Sequence, residues 1–411
     1  MAVPKLRFKA DDGNDYPNLE EIKLDTLMAL KNGINASGDK FGRGTKCISV
    51  MDILNNSCIT YDVIKGEVDV DEKILQNFTV EYGDAVFQRS SENVQDAGRA
   101  NVYMDKDRPA TFSGFVIRGK RIANYEPMFM NGLLNTFSVR KQIMSKAQGA
   151  QHINVGQEIL SSVRVNMPSL PEQQKIAEFL STIDTVIEKQ KETVSAWEER
   201  KKGVMEKLFC QKIRFKTDEK SEFPEWREKQ FGEIISEFKE KTEIENEDTL
   251  LSCAINGIFL NSELFGHQRG QSNIGYLKIK KGTLVLSTQN LHLGNANVNM
   301  RFEHGIISPA YKTYNIVGCS VEYMNQWIKW DTTKRFFYNA TTVGASGCRR
   351  NVDWNLLYSQ KIDVPCPEEQ EKIVECLSAL DDVVEKQKET LCAWENLKDG
   401  LLQQVFILSL I

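Results

Sequence analysis

The sequence predicts an α/β (α+β) chain. Two mixed α/β globular heads are expected, separated by two long antiparallel coiled-coil helices, as an internal tandem repeat with pseudo-twofold symmetry. Three observations point there. "EKQKETVSAWEE" from Glu188 returns as "EKQKETLCAWEN" from Glu385, and residues 172–209 align with 369–406 without a gap at a constant offset of 197. Each of these segments contains no Pro and a single Gly, with apolar residues recurring at three and four, the spacing of one helix face. Upstream of each copy lie short apolar runs bounded by Gly and polar turns, the signature of strands.

In chain order, the first head is expected over residues 1–167, with "DAVFQR" and "GFVIRG" as strands. The first long helix spans 168–209, its entrance marked by Pro168 and Pro171. The second head covers 210–364, with "TLVLST" and "HGIISPAYKTYNIV" as strands. In "YMNQWIKWDTTKRFFYNA" aromatics recur at helical spacing, which reads as core rather than as a stacking platform for bases. The second long helix spans 365–411, entered through Pro365 and Pro367. The closing "VFILSLI" is too short to cross a bilayer and reads as a helix end that docks. The repeat extends beyond the helices: "LRFK" at Leu6 matches "IRFK" at Ile213, and "NVGQEILSSVRVNMP" at Asn154 matches "NVDWNLLYSQKIDVP" at Asn351.

Heptad spacing defines a seam on each helix: Ile176, Leu180, Ile183, Ile187, Gln190, Val194 and Trp197 on the first, and Ile373, Leu377, Leu380, Val384, Gln387, Leu391 and Trp394 on the second. Both seams are broken at the same places, by Gln190 and Gln387 and again by Lys201 and Lys398. The first helix leaves the first head and ends at the second, so helices that pair along their length must run antiparallel. At 1.5 Å per residue the pair is a rod of ~57 Å. The two Gln would share its central layer and fix register.

The 411 residues allow two or three domains. Nine Cys are scattered without a C-x-x-C pair, which points to reduced thiols in a cytoplasmic protein. Four His show no zinc spacing, and no apolar signal core opens the chain. The net charge of −5 conceals an uneven distribution: residues 368–404 carry −6, whereas residues 249–362 carry +7 and residues 81–164 carry +3. An overall acidic chain can therefore still present a local basic surface to phosphates.

No phosphate loop G-x-x-x-x-G-K-[ST], no G-x-G-x-x-G, no Asn-Pro-Pro-aromatic run and no spacing that singles out a Ser-His-Asp triad occurs, so a binding protein is expected rather than an enzyme, without cofactor or metal. What remains are polar loops: Arg43 and Lys46 in "FGRGTK"; Gln88, Arg89, Ser90 and Ser91 in "FQRSSEN"; and Lys146, Gln148, Gln151 and His152 in "KAQGAQHIN". The second half has His267, Gln268 and Arg269 in "GHQRGQSN", Ser287, Thr288, Gln289 and Asn290 in "LSTQN", and Arg349 and Arg350 in "GASGCRRN". Arg pairs with guanine and Gln or Asn with adenine in the major groove, while Lys, Ser and backbone amides hold phosphates. Loops of this kind in both halves suit a bipartite DNA target.

The chain resembles the specificity subunits of type I restriction-modification systems. The resemblance rests on "LRFK", on "GDAVFQRSSEN…FSGFVIR", on "LVLSTQNLHLG…HGIISPAYKTY", and above all on "LPEQQKIAEFLSTID" with its weaker copy "PCPEEQEKIVECLSALD". It implies that each head is a target recognition domain for half of a split double-stranded DNA sequence. It also implies that the helices bind two methyltransferase subunits, that restriction-translocase subunits join these, and that the subunit has no activity of its own. A two-headed coiled-coil scaffold that binds proteins without DNA specificity is the alternative.

Overall fold

The computed structural model describes residues 6–149, 152–265, 272–343 and 350–406. The chain divides into two compact units, Met1–Lys191 with Glu389–Ile411, and Glu192–Lys388, so that each unit takes a head together with a part of both long helices.

The centre of the first unit is a four-stranded antiparallel sheet. Its spatial order is Met28–Asn32, Val116–Arg121, Ala85–Gln88, Ala100–Val102. The centre of the second unit is also a four-stranded antiparallel sheet, in the order Ile235–Phe238, Tyr311–Ile316, Leu284–Ser287, Ala296–Val298. In both, the fourth strand in sequence is inserted between the first and the second. The expected strands "DAVFQR", "GFVIRG" and "TLVLST" belong to these sheets, whereas "HGIISPAYKTYNIV" splits into Tyr311–Ile316, in the central sheet, and His304–Ile307, paired with Leu277–Lys280 in a separate one. A two-stranded antiparallel pair recurs as well: Glu20–Lys23 pairs with Arg164–Met167, and Arg227–Gln230 with Lys361–Val364.

The sheets are covered by helices whose apolar residues face them. In the first unit Phe129, Met130, Leu133 and Leu134 pack with Phe87, Val102 and Ile117 in one buried cluster. In the second, the aromatic stripe folds into two helices, Val321–Lys329 and Asp331–Asn339, which bury Tyr323, Trp327 and Phe337 around Phe231. The stripe is core, as its spacing indicates.

The long helices span Leu170–Phe209 and Pro367–Val405. Their starts are held alike. Gln173 donates its amide to the Pro168 carbonyl at 2.8 Å and accepts from the Glu126 N–H at 3.0 Å. Gln370 donates to the Pro365 carbonyl at 2.9 Å and accepts from the Ser320 N–H at 2.8 Å. Next to each Gln is a buried carboxylate met by the arginine of the repeated "RFK". Arg7 reaches Glu172 at 3.0 and 2.5 Å, and Arg214 reaches Glu369 at 3.1 and 2.7 Å. The carboxylate hydrogen bond raises the pKa of each guanidinium against the opposing effect of burial. Two motifs that are far apart in sequence are thus one structural joint.

Within the first unit, Ile176 and Leu180 near the start of the first long helix share a core with Val405 and Phe406 at the end of the second, and the Leu6 N–H donates to the Gln404 carbonyl. Within the second unit, Met205, Leu208 and Phe209 at the end of the first helix share a core with Ile373 and Leu377 at the start of the second. Every seam residue is buried or half-buried: Ile176, Leu180, Ile183, Ile187, Val194, Ile373, Leu377 and Val384 fully, and Gln190, Trp197, Leu380, Gln387, Leu391 and Trp394 partly. Of the closing "VFILSLI", Val405 and Phe406 are buried, and the rest lies outside the described residues. Among the described residues no helix is long and apolar enough to cross a membrane.

Candidate nucleic-acid interface

The first unit gathers two of the polar loops read from sequence. The central strand Ala85–Gln88 ends at Gln88. The Arg89 N–H then donates to the Phe115 carbonyl at 2.9 Å, and its guanidinium donates to the Gly114 carbonyl at 3.2 Å. Ser90–Ser91 pairs antiparallel with Ile153–Asn154, and the Ser90 hydroxyl donates to the Asn154 side-chain carbonyl at 2.9 Å. Gln148 and Asn154 exchange backbone hydrogen bonds at 3.2 and 2.7 Å, closing the loop on itself. Gly149 has φ +136°, and a Cβ there would lie 1.9 Å from the His152 carbonyl oxygen, so the loop accepts only Gly at that point. The result is a clamped patch carrying Arg89, Ser90, Gln148, His152 and Asn154. The last four are joined to one another or adjacent in chain, and His152 and Gln148 are exposed. Lys146, also exposed, bonds to the Ser162 hydroxyl at 2.7 Å.

Other expected readers are placed differently. Gln88 is buried and donates its amide to the Ser90 carbonyl at 2.9 Å; it shapes the turn and is withdrawn as a reader. Ser91 is also buried, its hydroxyl accepting from the Asn93 N–H, and is withdrawn for the same reason. Arg43 and Lys46 lie on another sheet, on the strand Phe41–Ile48, where they pair with Asp69 at 3.2 Å and Glu67 at 3.0 Å. Gln151 lies outside the described residues.

In the second unit the strand Leu284–Ser287 turns in the same way. Buried Ser287 accepts from the N–H groups of Gln289 and Asn290, so it is a turn former and not a reader. Thr288 donates both its N–H, at 3.1 Å, and its hydroxyl, at 2.8 Å, to the Ala310 carbonyl. Gln289 and Asn290 are left exposed. Arg350 is half-buried. Its guanidinium donates twice to Thr341, both at 2.7 Å, and lies 4.1 Å from the centre of the Tyr338 ring, so its charge is tied into the fold. His267, Gln268, Arg269 and Arg349 lie outside the described residues.

Counting charges along the chain overstates the basic surface. Arg118 is buried in the first sheet, bonded to the Thr79 carbonyl, and its pKa is lowered by burial. Arg140 is buried against the Gln95 carbonyl at 2.7 Å, and burial beside Arg99 brings its pKa down to about 10. Sequence reasoning missed Asn154, which organises the patch, and Phe115, which stands exposed beside Arg89. Asn154 opens a motif that repeats in the second half, and Phe115 follows a Gly between two strand-forming runs; both signals were legible. Among the described residues no three His, Cys, Asp or Glu side chains gather as a metal site would need.

One central-sheet topology occurs in both units, and a long helix follows each head in the chain. Residues 49–195 match the family model for the type I restriction modification DNA specificity domain. A type I restriction enzyme specificity subunit of Methanocaldococcus jannaschii, MjaX, is 23% identical over 414 residues, covering 93% of this chain and 92% of that one. The MjaVIII specificity subunit of the same organism is 25% identical over 266 residues, covering 60% of this chain and 62% of its own length. A solved structure reported for complex assembly and conformational transition of the type I restriction-modification system aligns over 94% of this chain and 97% of its own, with TM-score 0.56 at 14% identity, a likeness of fold. Over residues 49–195 the chain is similar to this DNA specificity domain, and over most of its length to a type I specificity subunit.

Proposed function

We propose that this chain is a specificity subunit that reads a bipartite double-stranded DNA sequence, one half through each unit, and confers that specificity on two methyltransferase subunits and on restriction-translocase subunits. The observation that carries this reading is the recurrence of one frame with different loop side chains: Arg89, Ser90 and His152 on the first, Thr288, Gln289 and Asn290 on the second. Equal frames with unequal tips suit two different half-sites. The subunit itself contributes recognition and no catalysis, and acts in the cytoplasm, where its DNA is. The heads comprise residues 1–167 and 210–364, and residues 168–209 and 365–411 form an antiparallel coiled coil that sets the distance between half-sites. Support for the pairing comes from the matched helix ends packed within each unit.

The test is exchange of residues 1–167 for those of a relative, in cells that also carry the methyltransferase subunit. Sequencing of methylated bases should show one half of the target changed and the other kept. Change in both halves, or none, would remove the independent-head reading. A scaffold without DNA specificity would yield no defined methylated sequence dependent on this chain.

A further inference from the structure

We propose that Phe115 is a base-reading residue of the first unit that contacts the 5-methyl group of a thymine in the major groove, beside Arg89. This rests on the DNA reading proposed above and deepens it by naming the base.

Phe115 is 67% exposed, while Phe112, Val116 and Ile117 around it are completely buried. A single exposed apolar side chain needs no explanation by itself. What singles this one out is how it is held. The turn Ser113–Val116 is closed by the Val116 N–H donating to the Ser113 carbonyl at 2.9 Å. The Ser113 N–H donates to the Ile48 carbonyl at 3.0 Å, and the Phe115 carbonyl accepts from Arg89 at 2.9 Å. Gly114 is pressed so close to Asn35 that a Cβ would lie 1.8 Å from its side-chain oxygen. The Arg89 guanidinium, on the Gly114 carbonyl, ties the last free edge. The backbone under Phe115 is therefore fixed before any ligand arrives, and little order remains to be imposed on binding.

The second unit repeats two of these backbone bonds. The Tyr311 N–H donates to the Ser308 carbonyl at 3.3 Å, and the Ala310 carbonyl accepts from the Thr288 N–H at 3.1 Å. Ser113, Gly114, Phe115 and Val116 thus correspond to Ser308, Pro309, Ala310 and Tyr311. Val116 faces Gln88 across the sheet just as Tyr311 faces Ser287. These two bonds recur; the tip differs, Phe against Ala, and so does the residue whose N–H meets it, Arg against Thr. Positions that change while their frame is kept are where two half-sites can be told apart. Phe and Ala are both side chains that contact a thymine methyl, and Arg donates to guanine. An exposed aromatic on a fixed turn, with an Arg bonded to that turn, suits a thymine next to a guanine.

The experiment uses the full chain with its methyltransferase partner on the target found by methylation mapping. Each thymine of the first half-site is replaced singly by deoxyuridine, which removes only the methyl group, and binding is compared with that of scrambled DNA. One replacement should weaken wild-type binding about fourfold, the worth of one buried methyl-sized group. Phe115→Ala should weaken binding to the thymine duplex by a similar factor and be indifferent to uracil at that position, a non-additive cycle. Wild-type indifference to every replacement, or an additive cycle, overturns the proposal. So does a loss in Phe115→Ala that is equal on all duplexes, the signature of a wedge between base pairs. A wild-type complex that cannot tell the target from scrambled DNA would instead overturn the DNA reading itself.

Discussion

The ammonium of Lys398 lies 2.5 Å from the carboxylate of Asp184, and Lys201 makes the same pair with Asp381. Both acids and both lysines are related by the offset of 197 that runs through the sequence. The Lys that interrupts each apolar seam is therefore matched by an acid of the other helix. Half-buried charges at a seam cost stability unless paired, and once paired they favour one register over its neighbours.

Reversing one charge should expose this role. Asp381→Lys places a third ammonium beside Lys201 and Lys329 and should lower the melting temperature. Adding Lys201→Asp should recover part of the loss, with a coupling of about 0.5–3 kcal/mol in the double-mutant cycle. Additive losses would mean that the pair does not hold the helices.

Acid should act on the same pair. Burial works to raise the Asp381 pKa, but hydrogen bonds from Gln326 and Lys201 and the nearby ammonium groups outweigh it, so the folded value lies below the ordinary 3.8. A carboxylate lowered on folding contributes stability above its unfolded pKa and loses it as pH falls through the folded one. Wild type should thus lose this contribution below about pH 4, while Asp381→Asn, lacking it throughout, should show a shallower acid dependence. Denaturant titrations from pH 6 to pH 2 would check it.

The two buried arginine–glutamate joints are not equal. Glu369 also accepts from the Trp226 indole at 2.9 Å, whereas among the described residues the Glu172 side chain accepts from Arg7 alone. Removing Arg7 leaves a carboxylate that is 2% exposed without a cation, at a cost of about 3–5 kcal/mol. Arg7→Ala should therefore destabilise the protein more than Arg214→Ala, read as the difference in denaturation midpoints.

Gly149→Ala should deform the loop that pairs with Ser90, since the added carbon meets the His152 carbonyl in a backbone conformation that L residues rarely adopt. DNA affinity of the complex should fall with little change in melting temperature, because the loop is peripheral to the core. Unchanged affinity would show that this patch does not touch DNA.

Four residues inserted after Gln190 alone should force a choice between the Asp184–Lys398 and Lys201–Asp381 pairs, and the matching insertion after Gln387 should restore both. Each adds ~6 Å of helix. If the helices set the gap between half-sites, the doubly extended protein should methylate the same two halves with a spacer longer by one or two base pairs, at 3.4 Å per pair. An active double insertion with an unchanged spacer would show that they do not.

The long helices, two of the four strands in each central sheet and the repeat in the sequence were legible, because each rests on local periodicity or on self-similarity. So was the anomaly at Lys201 and Lys398, but not its answer, since the matching acid is 180 residues away in one case. The polar loops could be named, yet not sorted. Gln88 and Arg89 are neighbours in sequence, and only the sheet turns one inward and the other toward Gly114. Ser90 meets Asn154 across 64 residues, and Arg350 is absorbed by Thr341 and Tyr338. Composition says which side chains can hydrogen-bond. Which of them are buried in turns and which stay at the surface is decided by contacts between distant segments that exist only once the chain has folded.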